Sequence, residues 1–497
     1  MEDKGKTVCI VGAGFSGLCT AIKIKRKLPT YSITIYDSND DFGGTWLVNT
    51  YPGCACDIPS HLYSFSFEPN PSWSSQYPSQ IEILMYMKTL AQKYNLYARA
   101  RFRHEVKQLE WLEESMKWEV NVLDSKTNQR HSLRYDFVFC GTGEYHLPNS
   151  PGIFSSFKGS MMHSAEWNPE FQLEGKTVAV VGSGASAIQI IPSIAQQVGK
   201  LLSYQRTPAW VISRLQFNIA PWVQWAFATI PGMRRLYRTS IYLANEIQYP
   251  AFQIQGLLSH VARPIAILLG KLHLRRQVSN SDLRAKLLPN YSLGCNRVCL
   301  SNEYYPALMR DNVEVIRDDI IQVTQDSIVT KDRRDKIDVL ILATGFRIHE
   351  YFGPMEIVGR KGENILRKWK VDGPSIYLGI VSHLMPNLFF IHGPGVDLGH
   401  NTGLFTIECQ VNWILQMVNE MEGKGASAVS VKESVEQAYM LRHQRDMKNT
   451  IWSSNDCGSY YANSQGLITI VYPRSQIDYW LRTLKFNPDN FEFLMRR

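Results

Sequence analysis

The sequence predicts an α/β architecture of two doubly wound units, the second inserted into the first, and three observations carry that prediction. An apolar run of strand length, Thr7 to Val11, passes into Gly12-Ala13-Gly14-Phe15-Ser16-Gly17 and then into the helix-like Leu18 to Lys27. The same order returns at Thr177 to Val181, with Gly182-Ser183-Gly184-Ala185-Ser186-Ala187 as its turn. Asp136 to Gly143 (DFVFCGTG) and Asp338 to Gly345 (DVLILATG) align at Asp, Thr and Gly, a weak internal repeat in which each copy closes one unit. A strand that feeds a Gly-rich turn and a helix aims backbone N–H groups at a pyrophosphate, so each unit is Rossmann-like and reads as a dinucleotide site. The expected boundaries are 1–150 for the first part of one domain, 151–335 for the inserted domain with a helical insert at about 210–290, and 336–497 for the second part of the first domain.

Taken in order, Gly12, Gly14 and Gly17 form the first phosphate turn. The next strand, Ser32 to Tyr36, ends at Asp37, an acid where a ribose 2′-hydroxyl needs an acceptor, which selects an unphosphorylated adenosine such as that of FAD or NAD. Ile81 to Tyr94 has helical apolar spacing, and Trp118 to Leu123 alternates as a strand. The second turn offers Gly182, Ser183, Gly184 and Ala187. Its following strand, Leu201 to Gln205, ends at Arg206-Thr207 with no acid. A cation and a hydroxyl there suit a 2′-phosphate, which favours NADPH over NADH. Trp210 to Asn290 breaks the α/β pattern, with many aromatics and prolines at 221, 231, 250 and 264, and predicts several short helices. A cap over an active site is one reading of it; a membrane-surface segment, given Arg234, Arg235, Arg275 and Arg276, is the other. Two dinucleotides held face to face are what an enzyme passing hydride from a nicotinamide to a flavin requires.

At 497 residues the chain exceeds one ordinary core, and two or three domains are expected. A net charge of +8 without a run of five like charges gives no support to a nucleic-acid partner. The nine cysteines are scattered and odd in number, which predicts reduced thiols and a cytoplasmic location. Cys54 and Cys56, or Cys295 and Cys299, lack the CxxC spacing of a flavin disulfide reductase, and no metal site is read. The first strand begins too early for a signal or transit peptide, and no run of 18 apolar residues predicts a span; peripheral membrane contact stays open.

Between the two Gly turns lies FKGSMMHSAEWN. Its Phe157, Gly159, His163 and Trp167 meet the pattern FxGxxxHxxxW, which resembles the fingerprint of the Baeyer-Villiger monooxygenases, a family of class B flavin-dependent monooxygenases. The next position is usually Pro or Asp in that family and is Asn168 here. Each of these residues alone also fits a loop turned by Gly159 with a satisfied His163 and a core Trp167. Gly43-Gly44-Thr45-Trp46 and Tyr51-Pro52-Gly53 through Asp57 resemble the family's flavin-contacting loop. The resemblance implies cofactor contacts from Gly44, Thr45, Trp46, Asp57, Tyr63 and Val106. It also implies them from Asn401, in the Pro386 to Cys409 segment that closes the FAD domain. Asp57 alone also fits a turn-forming Asx residue. Cys295 to Pro306 (CNRVCLSNEYYP) resembles the segment in which an Arg reaches over the flavin, here Arg297; the usual preceding Lys, which helps to bind the NADPH phosphate, is Asn296. The resemblance gives Arg206 and Thr207 the 2′-phosphate role as well. The implied reaction uses FAD and NADPH: the reduced flavin takes up dioxygen, and the flavin peroxide attacks a ketone to give an ester or lactone. Arg297 and Asp57 are then the catalytic pair, with Asp57 holding Arg297 by an ion pair. A sulfur- or nitrogen-oxidising flavin monooxygenase, and a non-catalytic flavin-binding sensor, are the alternatives.

Overall fold

The computed structural model describes residues 5–454 and 457–496. Two five-stranded parallel sheets organise it. In the first, the strands lie in the order Leu388–Phe390, Phe137–Cys140, Thr7–Val11, Ser32–Asp37 and Ala100–Phe102. In the second the order is Val313–Ile316, Lys200–Tyr204, Thr177–Val181, Val339–Leu342 and Ser160–His163. Strands of such sheets are covered on both faces and read as continuous apolar runs, which is why the two Gly-turn strands stand out in the sequence. Because Leu388–Phe390 completes the first sheet after every strand of the second, the second unit is inserted in the first.

The expected boundary between 335 and 336 needs correction. Val339–Leu342 is paired on both sides within the second sheet, so that unit extends through the whole second copy of the repeat. The FxGxxxHxxxW stretch supplies the edge strand Ser160–His163 of the same sheet. Gly159 precedes it where a Cβ would come within 2.5 Å of the Phe157 ring and 3.0 Å of the Asp338 carbonyl oxygen.

The internal repeat is a structural equivalence. Asp136 Oδ2 accepts from the Thr7 backbone N–H at 2.8 Å, and Asp338 Oδ2 accepts from the Thr177 N–H at 2.8 Å. Each Asp therefore pins the start of its strand to the start of the neighbouring Gly-turn strand. At the other end, a Cβ on Gly12 would lie 2.4 Å from the Gly141 carbonyl oxygen and one on Gly182 would lie 2.2 Å from that of Ala343, with both glycines at positive φ. Only glycine fits either place.

The remaining chain packs around these sheets. A mixed four-stranded sheet (Glu356–Val358, His104–Leu112, Lys117–Asp124, Gln129–Tyr135) flanks the first unit, and the long helix Gly403–Gly423 packs on Phe15–Lys27. The 210–290 region forms the helices Pro221–Thr229, Met233–Glu246, Ser259–Gln277 and Ser281–Leu287. They are not all short, because Ser259–Gln277 runs for 19 residues through Pro264. That proline sits in the second turn, where a single lost hydrogen bond does not end the helix.

The expectation of nine reduced thiols is also corrected. Cys295 and Cys457 form a disulfide across 162 residues, and the other seven cysteines are free. No helix among the described residues is long and apolar enough to cross a membrane.

Candidate functional site

Both Gly turns end in helices whose first turn is left open. Phe15–Lys27 and Ala185–Ile194 have N-caps Gly14 and Gly184 with no side-chain cap. Ser79, Asn280, Asn364, Thr402 and Ser475 cap their helices with a side-chain oxygen, whereas Pro221–Thr229, Met233–Glu246, Ser259–Gln277 and Glu433–Met447 share the open N-terminus, so it is the Gly-rich turn before the helix that sets these two apart. The uncapped N–H groups and the positive end of the helix dipole are suited to a phosphate anion.

The Gly43-Gly44 loop closes directly on the first turn. Gly43 N–H donates to the Ala13 carbonyl oxygen at 3.1 Å, and Gly44, at positive φ, approaches Gly14 so closely that a Cβ would lie 2.8 Å from its Cα. Thr45 and Trp46 begin the short helix Thr45–Val48. The Trp46 ring N–H donates to Tyr63 Oη at 3.1 Å, and Phe15 meets the Tyr63 ring edge-on at 5.4 Å, which makes an aromatic wall beside the turn. Asp37 ends its strand as expected. Its Oδ2 accepts from Ala13 N–H at 2.6 Å and its Oδ1 from Asn39 N–H at 2.8 Å, which aims the carboxylate at the turn. Val106 lies buried in the flanking sheet.

In the second unit Ser183 Oγ donates to the Thr207 carbonyl oxygen, which joins the Gly turn to the end of the next strand. Arg206 and Thr207 are exposed there. Asn296 Oδ1 accepts from Tyr460 N–H at 3.4 Å.

Asp57 and Arg297, 240 residues apart, meet in a bidentate pair: Nε donates to Oδ2 at 2.7 Å and Nη2 to Oδ1 at 2.8 Å. Burial alone would raise the Asp57 carboxyl, but Arg297 beside it holds it below the usual carboxylate range. Asp57 in turn pushes the guanidinium well above its ordinary value. Both groups stay charged, with about 28–29% of each side chain exposed. The loop that carries Asp57 is docked on the second unit. Tyr51 Oη donates to Gln189 Oε1 at 2.9 Å, and Gln189 Nε2 donates back to the Ala55 carbonyl oxygen at 2.9 Å. Gln189 belongs to Ala185–Ile194, the helix that follows the second Gly turn. The charged pair is thus held between the two turns. Neither Tyr51 nor Gln189 carries a local sequence signal for that contact.

At the carboxyl ends of the first sheet's strands, where open α/β sheets bind ligands, a second polar pair appears that the sequence does not announce. His392 Nδ1 lies 3.3 Å from Glu144 Oε1. Burial and the nearby Asp397 push the Glu144 carboxyl up to about 7 against the opposing pull of His392; burial works against the His392 imidazolium, but Glu144 raises it. His392 sits at φ 60°, a left-handed conformation rare outside glycine and asparagine. Thr142 Oγ1, Glu144 Oε2 and His392 Nε2 are buried without a hydrogen-bond partner among the described residues. Asn401 is buried behind this region, its amide donating to Glu246 of the cap at 2.9 Å. Glu246 also takes His400 Nε2 at 2.9 Å, so it ties the cap helix Met233–Glu246 to the segment that closes the first unit. Among the described residues no cluster of His, Cys, Asp and Glu could hold a metal ion.

Two dinucleotide-type turns, with an Asp–Arg pair on the loop that runs from the first of them to the helix of the second, define a two-nucleotide flavoprotein architecture, and comparisons place it. A family model described as flavin-binding monooxygenase-like matches residues 5–234. A Baeyer-Villiger monooxygenase of Pseudomonas aeruginosa is 35% identical over 91% of this chain and 85% of its own length. One of Streptomyces coelicolor is 32% identical over 98% of this chain and 92% of its own. The chain belongs to the Baeyer-Villiger monooxygenase family, and is a flavin-dependent oxidoreductase. Its fold matches that of a closed cyclohexanone monooxygenase with a TM-score of 0.85 at 24% identity, over 99% of this chain and 100% of that one. A steroid monooxygenase bound to NADP matches at 0.86 and 24% identity, over the same shares.

Proposed function

We propose that the protein is an FAD- and NADPH-dependent Baeyer-Villiger monooxygenase that inserts one oxygen atom of dioxygen beside a ketone carbonyl, through a flavin peroxide, to give an ester or lactone. The Asp57–Arg297 pair, held between the two Gly turns by the Tyr51–Gln189 contact, is the observation that carries this reading. FAD is assigned to the turn at Gly12, Gly14 and Gly17 with Asp37, Gly44, Thr45, Trp46, Tyr63, Val106 and Asn401. NADPH is assigned to Gly182, Ser183, Gly184 and Ala187 with Arg206 and Thr207. Solved complexes of a related fold with FAD and NADP, at a TM-score of 0.86 and 23% identity, agree with two such sites.

The residues fit both groups: the open helix N-termini at Gly14 and Gly184 would receive the pyrophosphates, and Gly12, Gly17 and Gly182 pack so closely on neighbouring backbone that a Cβ there would displace the turns that present those N–H groups. When bound, the flavin supplies reduction of dioxygen by the electrons of NADPH. Arg297 offers a permanent positive charge and planar donors to the negative charge that develops on the former carbonyl oxygen. Asp57 takes Nε and one Nη of that guanidinium and would leave the remaining N–H groups as donors to the substrate. The cap, tied down by Glu246, would limit the access of water to the site and so protect a reactive oxygen donor from wasteful decay.

A panel of ketones and thioethers, scored by product mass against NADPH consumed, tests the reading. Products heavier by one oxygen atom from ketones are expected. Oxygenation of the thioethers alone would move the chain to a sulfur-oxidising enzyme, and NADPH consumption without any product would remove the oxygenase reading.

A further inference from the structure

We infer that the cap carries a docking surface for an anionic lipid bilayer, on which it lies without crossing. The primary observation is the outer face of the Ser259–Gln277 helix. Its exposed positions Leu258, Val261, Ile265, Leu268, Leu269 and Leu272 recur at three- and four-residue intervals, so they form one stripe along the helix. A helix of a water-facing surface puts its polar residues there; this one reverses the order. The stripe ends in Lys271, Arg275 and Arg276, all exposed. The same inversion occurs on two other helices of the region. Leu236, Leu243 and Ile247 are exposed at about two turns and one turn apart on and just after Met233–Glu246, and Trp222 and Trp225 are 70% and 64% exposed on Pro221–Thr229. Of the 33 large apolar side chains exposed among the described residues, 15 fall between 215 and 272. Single exposed apolar residues are ordinary, but a concentration of this kind marks a surface that is covered in use.

Charge identifies the cover. Between 213 and 281 there are eight Arg or Lys and one acid, Glu246, which is buried against His400 and Asn401. This segment therefore holds +7 of the chain's net +8. Arg234, Arg235, Arg263, Lys271, Arg275 and Arg276 make no ion pair among the described residues. Exposed tryptophans and aliphatic side chains beside unpaired bases match the acyl boundary and the phosphates of an anionic leaflet. A second copy of this chain fits less well, because a two-fold contact through a face with bases and no exposed acid would oppose like charges. The 19-residue helix carries four bases, so it suits the interface plane rather than a span.

The full-length protein, purified with its cofactor, is tested by co-sedimentation with vesicles of phosphatidylcholine alone and of phosphatidylcholine mixed with phosphatidylglycerol. Tryptophan emission is followed in parallel, and light scattering gives the mass. Binding to the mixed vesicles, a blue shift of emission, and loss of binding as salt is raised are expected. Leu268→Glu with Leu269→Glu, and separately Arg275→Glu with Arg276→Glu, should each lower partitioning by about tenfold or more while turnover of a water-soluble ketone and thermal stability stay unchanged. Absence of binding to the mixed vesicles overturns the inference, as does equal binding to both kinds. A concentration-dependent dimer that the Leu268→Glu, Leu269→Glu variant dissolves, without vesicle binding, assigns the face to a second copy instead.

Discussion

Arg297 is placed so that chemistry and cofactor binding come apart on mutation. Among the described residues its side chain hydrogen-bonds Asp57 and no residue of either Gly turn. Arg297→Ala is therefore expected to retain flavin and to oxidise NADPH while oxygenated product falls by about a hundredfold to a thousandfold, the usual cost of a donor aimed at a developing oxyanion. Hydrogen peroxide should appear in place of product. Arg297→Lys should rescue little, since one ammonium cannot bond Asp57 at two points and still present a planar set of donors. Ester formation by Arg297→Ala within a few-fold of the parent, measured per NADPH consumed, would remove the residue from the mechanism. Gly12 makes the complementary case. A Cβ at that position meets the Gly141 carbonyl oxygen at 2.4 Å under a φ of 102°, so Gly12→Val should yield protein without the yellow flavin absorbance. Full flavin occupancy in that variant would be incompatible with the assigned turn. Residues of this kind were legible in the sequence because a turn and a short motif are local. Asp37 and Arg206 could be named from their places at the ends of strands, and Arg297 only from the resemblance of its segment to the family's. Glu144 and His392 could not, since they lie in segments 248 residues apart and only the adjacency of Phe137–Cys140 and Leu388–Phe390 brings them together.

Among elements, the ends of those two strands carry a pH signature. Glu144 and His392 both hold their protons more tightly in the folded chain than in an unfolded one, the carboxyl up to about 7. A folded pKa that is raised contributes stability that is fully present below the unfolded value and is lost as pH rises through the folded value. Thermal stability should accordingly decline as pH rises through about 7, and Glu144→Gln, which cannot titrate, should flatten that decline. An unaltered slope in the variant would mean that the pair does not titrate as described. We assign the nucleotide preference to the end of Lys200–Tyr204. Arg206 is the cation present, and Asn296 stands where the family usually adds a Lys, so the preference for NADPH over NADH should be real but reduced. Asn296→Lys should sharpen it by about tenfold, the worth of one charge-assisted hydrogen bond, and equal efficiency with both cofactors in the parent would refute the assignment. Elements with one strong period were readable in advance: Gln80–Lys93 and Lys117–Asp124 fall within a residue of their expected bounds. The cap was readable only as helical, because its prolines suggested breaks and Pro264 breaks nothing.

For the whole molecule, the tie between the Arg297 segment and the carboxyl-terminal region is covalent as well as packed. Cys295–Cys457 closes a loop of 162 residues, and Ser459 Oγ donates to the Cys295 carbonyl oxygen at 2.8 Å beside it. Replacing both cysteines by Ser should lower stability by about 2–4 kcal/mol, read as a fall in unfolding midpoint that added reductant reproduces in the parent. A midpoint indifferent to both would show that the bond does not form in solution. Nothing in the spacing of nine scattered cysteines singles out this pair, since only the closed fold brings the two Cα atoms to 5.5 Å. The insertion itself was legible through the repeat, although its end was placed before the strand Val339–Leu342 that it includes. The order of strands in the first sheet also fixes a sequence of events during synthesis. Phe137–Cys140 leaves the ribosome 248 residues ahead of its neighbour Leu388–Phe390. At translation speeds of roughly 5–20 residues per second that is a wait on the order of ten to fifty seconds. Every strand of the inserted unit, from 160 to 342, emerges within that interval. The inner unit can therefore be finished while the outer one still shows a bare apolar edge to other nascent chains, and the yield of this protein depends on what shelters that edge in the meantime.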